Sequence, residues 1–172
     1  MGLQDLANLG EAIGGLAVLI TLVYLAVQIR QNTRAVRSNT SQAITDSRVD
    51  FLASVTDDAD VARIFYSGLV DFESLEGIDR GRFSLLMARF TATMENYFYQ
   101  HGQGTMDTEQ WTRMLETLRF FMATPGGQHW WSSRPIRPDV PFERFLDAEV
   151  KRLHSSPDAG RQAAEWLAAQ RG

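Results

Sequence analysis

The chain carries three histidines, His101, His129 and His154, and no cysteine. The histidines are scattered without metal-type spacing, and no HExxH or paired His–carboxylate motif joins them. The absence of cysteine removes disulfides, thiolate metal sites and a thiol nucleophile. Asp57, Asp58 and Asp60 lie close together in TDDADVAR. A calcium loop would need further oxygen ligands at loop spacing, so this cluster reads as a helix N-terminus, where carboxylates favour the dipole. GGLAV lies inside an apolar run and PGGQHWW lacks a lysine, so neither is a phosphate loop. No GxSxG elbow singles out a serine. The expectation is no catalytic, cofactor-binding or metal-binding residue, no cofactor, and no enzyme. Two groups remain. Glu11, Thr21 and Gln28 are polar positions in or beside the apolar run, where a ring of subunits could line a pore with them. Trp130 and Trp131 either anchor a ligand, a partner or a membrane surface, or plug the end of a helical core.

Stepping along the chain, residues 12–29, AIGGLAVLITLVYLAVQI, are interrupted only by Gly14, Gly15, Thr21 and Gln28. As a helix they span roughly 27 Å, close to a hydrocarbon core of about 30 Å. Asp5 and Glu11 precede the run, and Arg30, Arg34 and Arg37 follow it. A secretory signal has the reverse pattern, a basic start and small residues at the exit, so cleavage is not expected. A buried helix of a water-soluble domain is the competing reading, but it gives no reason for the charged flanks. The positive-inside rule makes Arg30, Arg34 and Arg37 interface anchors on the cytoplasmic side, with the short N-terminus outside.

Within the run, steps of three and four from Ala7 give Ala7, Gly10, Gly14, Ala17, Thr21, Tyr24 and Gln28, one stripe of mostly small or polar groups. Its neighbours Leu9, Ile13, Leu16, Ile20, Val23 and Val27 are aliphatic. Small residues let two helix backbones approach, and Thr or Gln can hydrogen-bond across the contact. The stripe is therefore a candidate oligomer interface. Glycine and alanine are also simply common in membrane helices.

No Gly or Pro occurs between Gly15 and Gly68, so the helix is expected to continue through Ser38 to Val55. QNTRAVRSNTSQ within it is polar all round, either a solvated stalk or an exposed helix steadied by neighbours. Helical stripes follow at Val61, Ile64, Phe65 and Leu69, and then from Phe83 to Phe98, ended by Gly102 and Gly104. Asp107 with Gln110 resembles a capping box opening a helix that Pro125-Gly126-Gly127 stops. RPIRPDVP must be extended. Phe142, Phe145, Leu146, Val150 and Leu153 define another helix, and residues 163–169 a last short one. Strand-like alternation is missing. The predicted fold is all-α, an N-terminal transmembrane helix and basic exit over residues 1–37 and a cytoplasmic helical bundle over 38–172.

Charge is uneven: residues 1–48 carry +1 and residues 49–172 carry −5, for a net −4. An acidic domain is a poor partner for a nucleic-acid backbone. GEAIGGLAVLITLVYLAVQIRQNTRAVR at residues 10–37, with PGGQHWW, resembles a group of small uncharacterised bacterial membrane proteins that have an N-terminal span with a YLAVQIRQNT exit and a helical region behind it. The resemblance covers the N-terminal quarter well and implies a bacterial inner-membrane location, with no activity attached. The function expected is a membrane-anchored, self-associating structural or regulatory interaction protein. Its partners are the lipid bilayer and a second copy or another membrane protein. A homo-oligomeric ion channel is the alternative.

Overall fold

The computed structural model describes residues 2–135, 137–155 and 157–169, without the side chains of residues 5–7, 9, 12, 157 and 159. The chain is all-α. Among the described residues seven helices follow one another: α1 (Leu3–Thr56), α2 (Ala59–Val70), α3 (Gly77–Gly102), α4 (Thr108–Ala123), α5 (Pro125–Ser132), α6 (Pro141–His154) and α7 (Pro157–Ala169). Two compact units divide it, residues 1–41 and 42–172.

The first unit is the N-terminal part of α1. Its 18-residue apolar window has a mean hydropathy of 1.9, and none of it is buried. The polar stretch from Gln31 onward is helical and exposed, as a solvated stalk would be.

In the second unit the helices pack through the apolar stripes that define them. Ile64, Phe65 and Leu69 of α2 meet Phe83, Met87 and Phe90 of α3 in one core, joined by Trp111, Met114, Leu118 and Met122 of α4. Helix α4 lies against α3, α5, α6 and α7. Ile44, Phe51 and Val55, at the end of α1, are buried in the same core. Tyr97 of α3 donates its hydroxyl to the Ile44 carbonyl at 2.9 Å, and its burial, above all, raises the phenol pKa.

Local chemistry sets the helix starts. Asp58 accepts from the Asp60 and Val61 amides, and Asp107 from the Gln110 amide, satisfying donors that the first turn leaves unpaired. After α3, Gly104 takes φ +71°, a left-handed conformation that glycine adopts without steric cost.

Two expectations need correction. Pro125-Gly126-Gly127 does end α4, but PGGQHWW is itself the helix α5. Thr124 caps it by accepting from the Gly127 amide at 3.0 Å, and Pro125 occupies the first turn, where proline's missing N–H costs nothing. The last helix begins at Pro157 rather than near residue 163, for the same reason.

Both glycines of α5 are packing residues. A Cβ on Gly126 would stand 1.7 Å from the Gly68 carbonyl oxygen, and one on Gly127 would stand 2.0 Å from the Phe121 oxygen. Helices α2 and α5 thus cross with backbone against backbone at Gly68 and Gly126.

Candidate functional site

Exposure defines the first candidate. From Ile13 to Ile29 every large apolar side chain is 45–66% exposed. Burying one such side chain is worth about 1.5–3 kcal/mol, so leaving the whole set in water is a cost of tens of kcal/mol. A bilayer removes that cost.

The stripe residues Gly10, Gly14, Ala17, Thr21, Tyr24 and Gln28 are all exposed, while the Ala7 side chain lies outside the described ones. Added Cβ atoms on Gly10 and Gly14 would meet nothing within 4 Å, so both glycines leave open backbone on the helix surface. On an α-helix the stripe occupies about 100° of arc. Its polar groups already have partners within it. Thr21 Oγ1 donates to the Ala17 carbonyl at 2.8 Å, and Gln28 Nε2 donates to the Tyr24 hydroxyl at 2.7 Å. Each pair is one helical turn apart, which lowers the cost of these groups in lipid.

Of the pore candidates, Thr21 and Gln28 share this face, while Glu11 lies about 80° around the helix from Thr21. Arg30, Arg34 and Arg37 are exposed and lie on the face opposite the stripe. Among the described residues none of the three pairs with a carboxylate.

A second candidate, of which the sequence singled out only Trp130 and Trp131, lies among α3, α5 and α6. It is a recess of about 460 Å³ bordered by Glu95, Trp130, Trp131, Arg134, Arg137 and Glu143. The Glu143 carboxylate is its centre and is 3% exposed. It accepts from the Arg137 amide at 2.6 Å and from the Arg137 guanidinium through Nε at 2.9 Å and Nη2 at 2.5 Å. Arg134 Nη2 adds a longer contact at 3.4 Å.

These hydrogen bonds, led by the Arg137 side chain, hold the Glu143 carboxyl below its ordinary pKa against the opposing effect of burial. Arg134 lies over both indoles, at 4.9 Å from the Trp130 ring and 4.6 Å from Trp131, a cation–π arrangement. Burial, more than anything else, lowers its pKa, and Glu143 pulls the other way.

The Arg137 donors end on Glu143, whereas Trp131 Nε1 is buried without a hydrogen-bond partner. The cluster is a staple that ties the proline segment to the first turn of α6. Trp130 and Trp131 are 6% and 2% exposed, which places both indoles in the core rather than on a surface.

The remaining chemistry-bearing residues are separate. His101 stacks on Trp111 at 5.5 Å, His129 lies 3.8 Å from Glu73, and His154 is exposed at the end of α6. His101 and His129 are helical. Asp57, Asp58 and Asp60 are exposed around the start of α2. Among the described residues no three His, Cys, Asp or Glu side chains converge as a metal site would require. No family model matches the chain, and no curated protein or solved structure matches it.

Proposed function

We propose that the protein is a single-span tether of the bacterial inner membrane. Its N-terminus is outside, its helical domain is cytoplasmic, and the small-residue face of α1 holds it to a second copy. Its role is structural or regulatory: it keeps an interaction domain at the membrane surface. One observation carries the reading, the bare apolar surface of residues 13–29 on a helix with no neighbour over it. The likeness of residues 10–37 to small bacterial single-span proteins points the same way, and the acidic and basic flanks supply the orientation. Self-association draws support from Gly10 and Gly14, whose open backbone allows close approach.

The absence of cysteine makes single-cysteine reporters clean. With Ala17→Cys, on the stripe, oxidation in membranes should give a disulfide-linked dimer. Ile20→Cys, off the stripe, should give little. Adding Gly10→Leu and Gly14→Leu to the Ala17→Cys chain should abolish the dimer. Equal cross-linking from both faces, or dimer unchanged by the leucines, would refute the interface. An impermeant maleimide should label Asn8→Cys on spheroplasts and Gln103→Cys only after lysis, and the reverse pattern would refute the orientation.

A further inference from the structure

Two recesses within residues 42–172 share a wall and differ in chemistry. One, of about 410 Å³, is lined almost wholly by apolar and aromatic groups, among them Val55, Tyr66, Phe120 and Trp166. The other, of about 440 Å³, has Arg48 and Arg113 in its lining beside Phe90 and Met114. Phe51, Leu52 and Phe121 belong to both. The two therefore adjoin along α1 and α4, and we read them as one trough, greasy at one end and bordered by arginines at the other.

Both volumes are in the range of small-molecule sites. The greasy end leaves large groups in water: Leu52 is 47% exposed, Tyr66 40% and Trp166 38%. Tyr66 and Trp166 stack at 6.0 Å, and Phe120 meets the Trp166 ring edge-on at 5.0 Å, giving an aromatic wall. At the other end Arg48 has no carboxylate partner among the described residues. Arg113 gives Nη1 to Glu109 and keeps its other donors. With Glu109 on Arg113 and Glu116 exposed at the rim, Arg48 is the one arginine of this lining without a carboxylate partner among the described residues.

We propose that this trough binds a single-chain anionic amphiphile, a long-chain carboxylate. Its head pairs with Arg48 and Arg113, and its tail runs past Leu52 and Val55 to Trp166. From Arg48 to Val55 the axis of α1 advances roughly 10 Å, so the tail covers two turns before it reaches the aromatic wall. One unpartnered arginine, with two carboxylates nearby, suits a monoanion better than a doubly charged phosphate. The trough lies within residues 42–172, so the proposal stands apart from the anchoring of α1.

The test is photolabelling of the full-length protein in phosphatidylcholine vesicles with a diazirine-bearing palmitate, and in parallel with its methyl ester. Palmitate should label peptides containing Leu52, Phe120 or Trp166, and the ester should label them roughly tenfold less, as loss of a charge-assisted contact implies. Arg48→Glu, and Leu52→Trp, which fills the trough from an exposed position, should each reduce this labelling comparably. Labelling confined to residues 13–29, or equal labelling by acid and ester on the unmodified chain, would overturn the proposal. So would a change in oligomer mass with Leu52→Trp and no labelling of the trough, which would make this face a contact between copies.

Discussion

Glu143 and Gly126 show how single residues govern the second unit by opposite means. Glu143 is a buried carboxylate whose partners, Arg134 and Arg137, come from the proline segment before α6. Its folded pKa is depressed, so its contribution to stability is complete above the ordinary value of about 4.5 and is lost as pH falls through the lower folded value. Glu143→Gln should therefore cost about 2 kcal/mol at pH 7, by urea melts read with circular dichroism. The gap to the unmodified chain should close as pH falls below 4.5. A gap independent of pH would mean the carboxylate charge is not what holds the segment. Nothing in RPIRPDVPFE announces this staple, because a lone glutamate at a helix start reads equally well as a favourable dipole contact. What makes it special is tertiary: α6 turns it inward under the indoles.

At the scale of the helices, hydrophobic periodicity carried most of the fold. Ile64, Phe65 and Leu69, the Phe83-to-Phe98 stripe, and Leu146, Val150 and Leu153 all face the core or pack against it. Asp107 caps α4 as its spacing to Gln110 foretold. Sequence reasoning failed at α5 because Pro-Gly-Gly has two meanings. It ends a helix, yet proline is also favoured in a first turn, and the glycines are there for contacts that only the folded chain reveals. Gly126→Ala should thus cost about 3 kcal/mol in the same melts, because its Cβ would collide with the Gly68 carbonyl. Gly81→Ala, inside α3 with open space around it, should instead stabilise by about 0.5–1 kcal/mol. Equal effects at the two sites would contradict the backbone-to-backbone crossing of α2 and α5.

For the molecule as a whole, the contrast between its two units is the central fact. Residues 42–172 bury their apolar stripes against one another, while the apolar run at 13–29 buries nothing. The apolar N-terminal helix was legible in the sequence, since length and apolar character are local properties. The trough lined by Arg48, Leu52 and Trp166 was not, because it assembles residues far apart in the chain. A tether of this kind must hold its exposed helix in lipid. Its most direct test is the partition of the full-length protein after cell lysis without detergent, an alkaline carbonate wash and high-speed centrifugation. The protein should remain in the membrane pellet and be released only by detergent. Recovery of folded, full-length protein in the supernatant would contradict it.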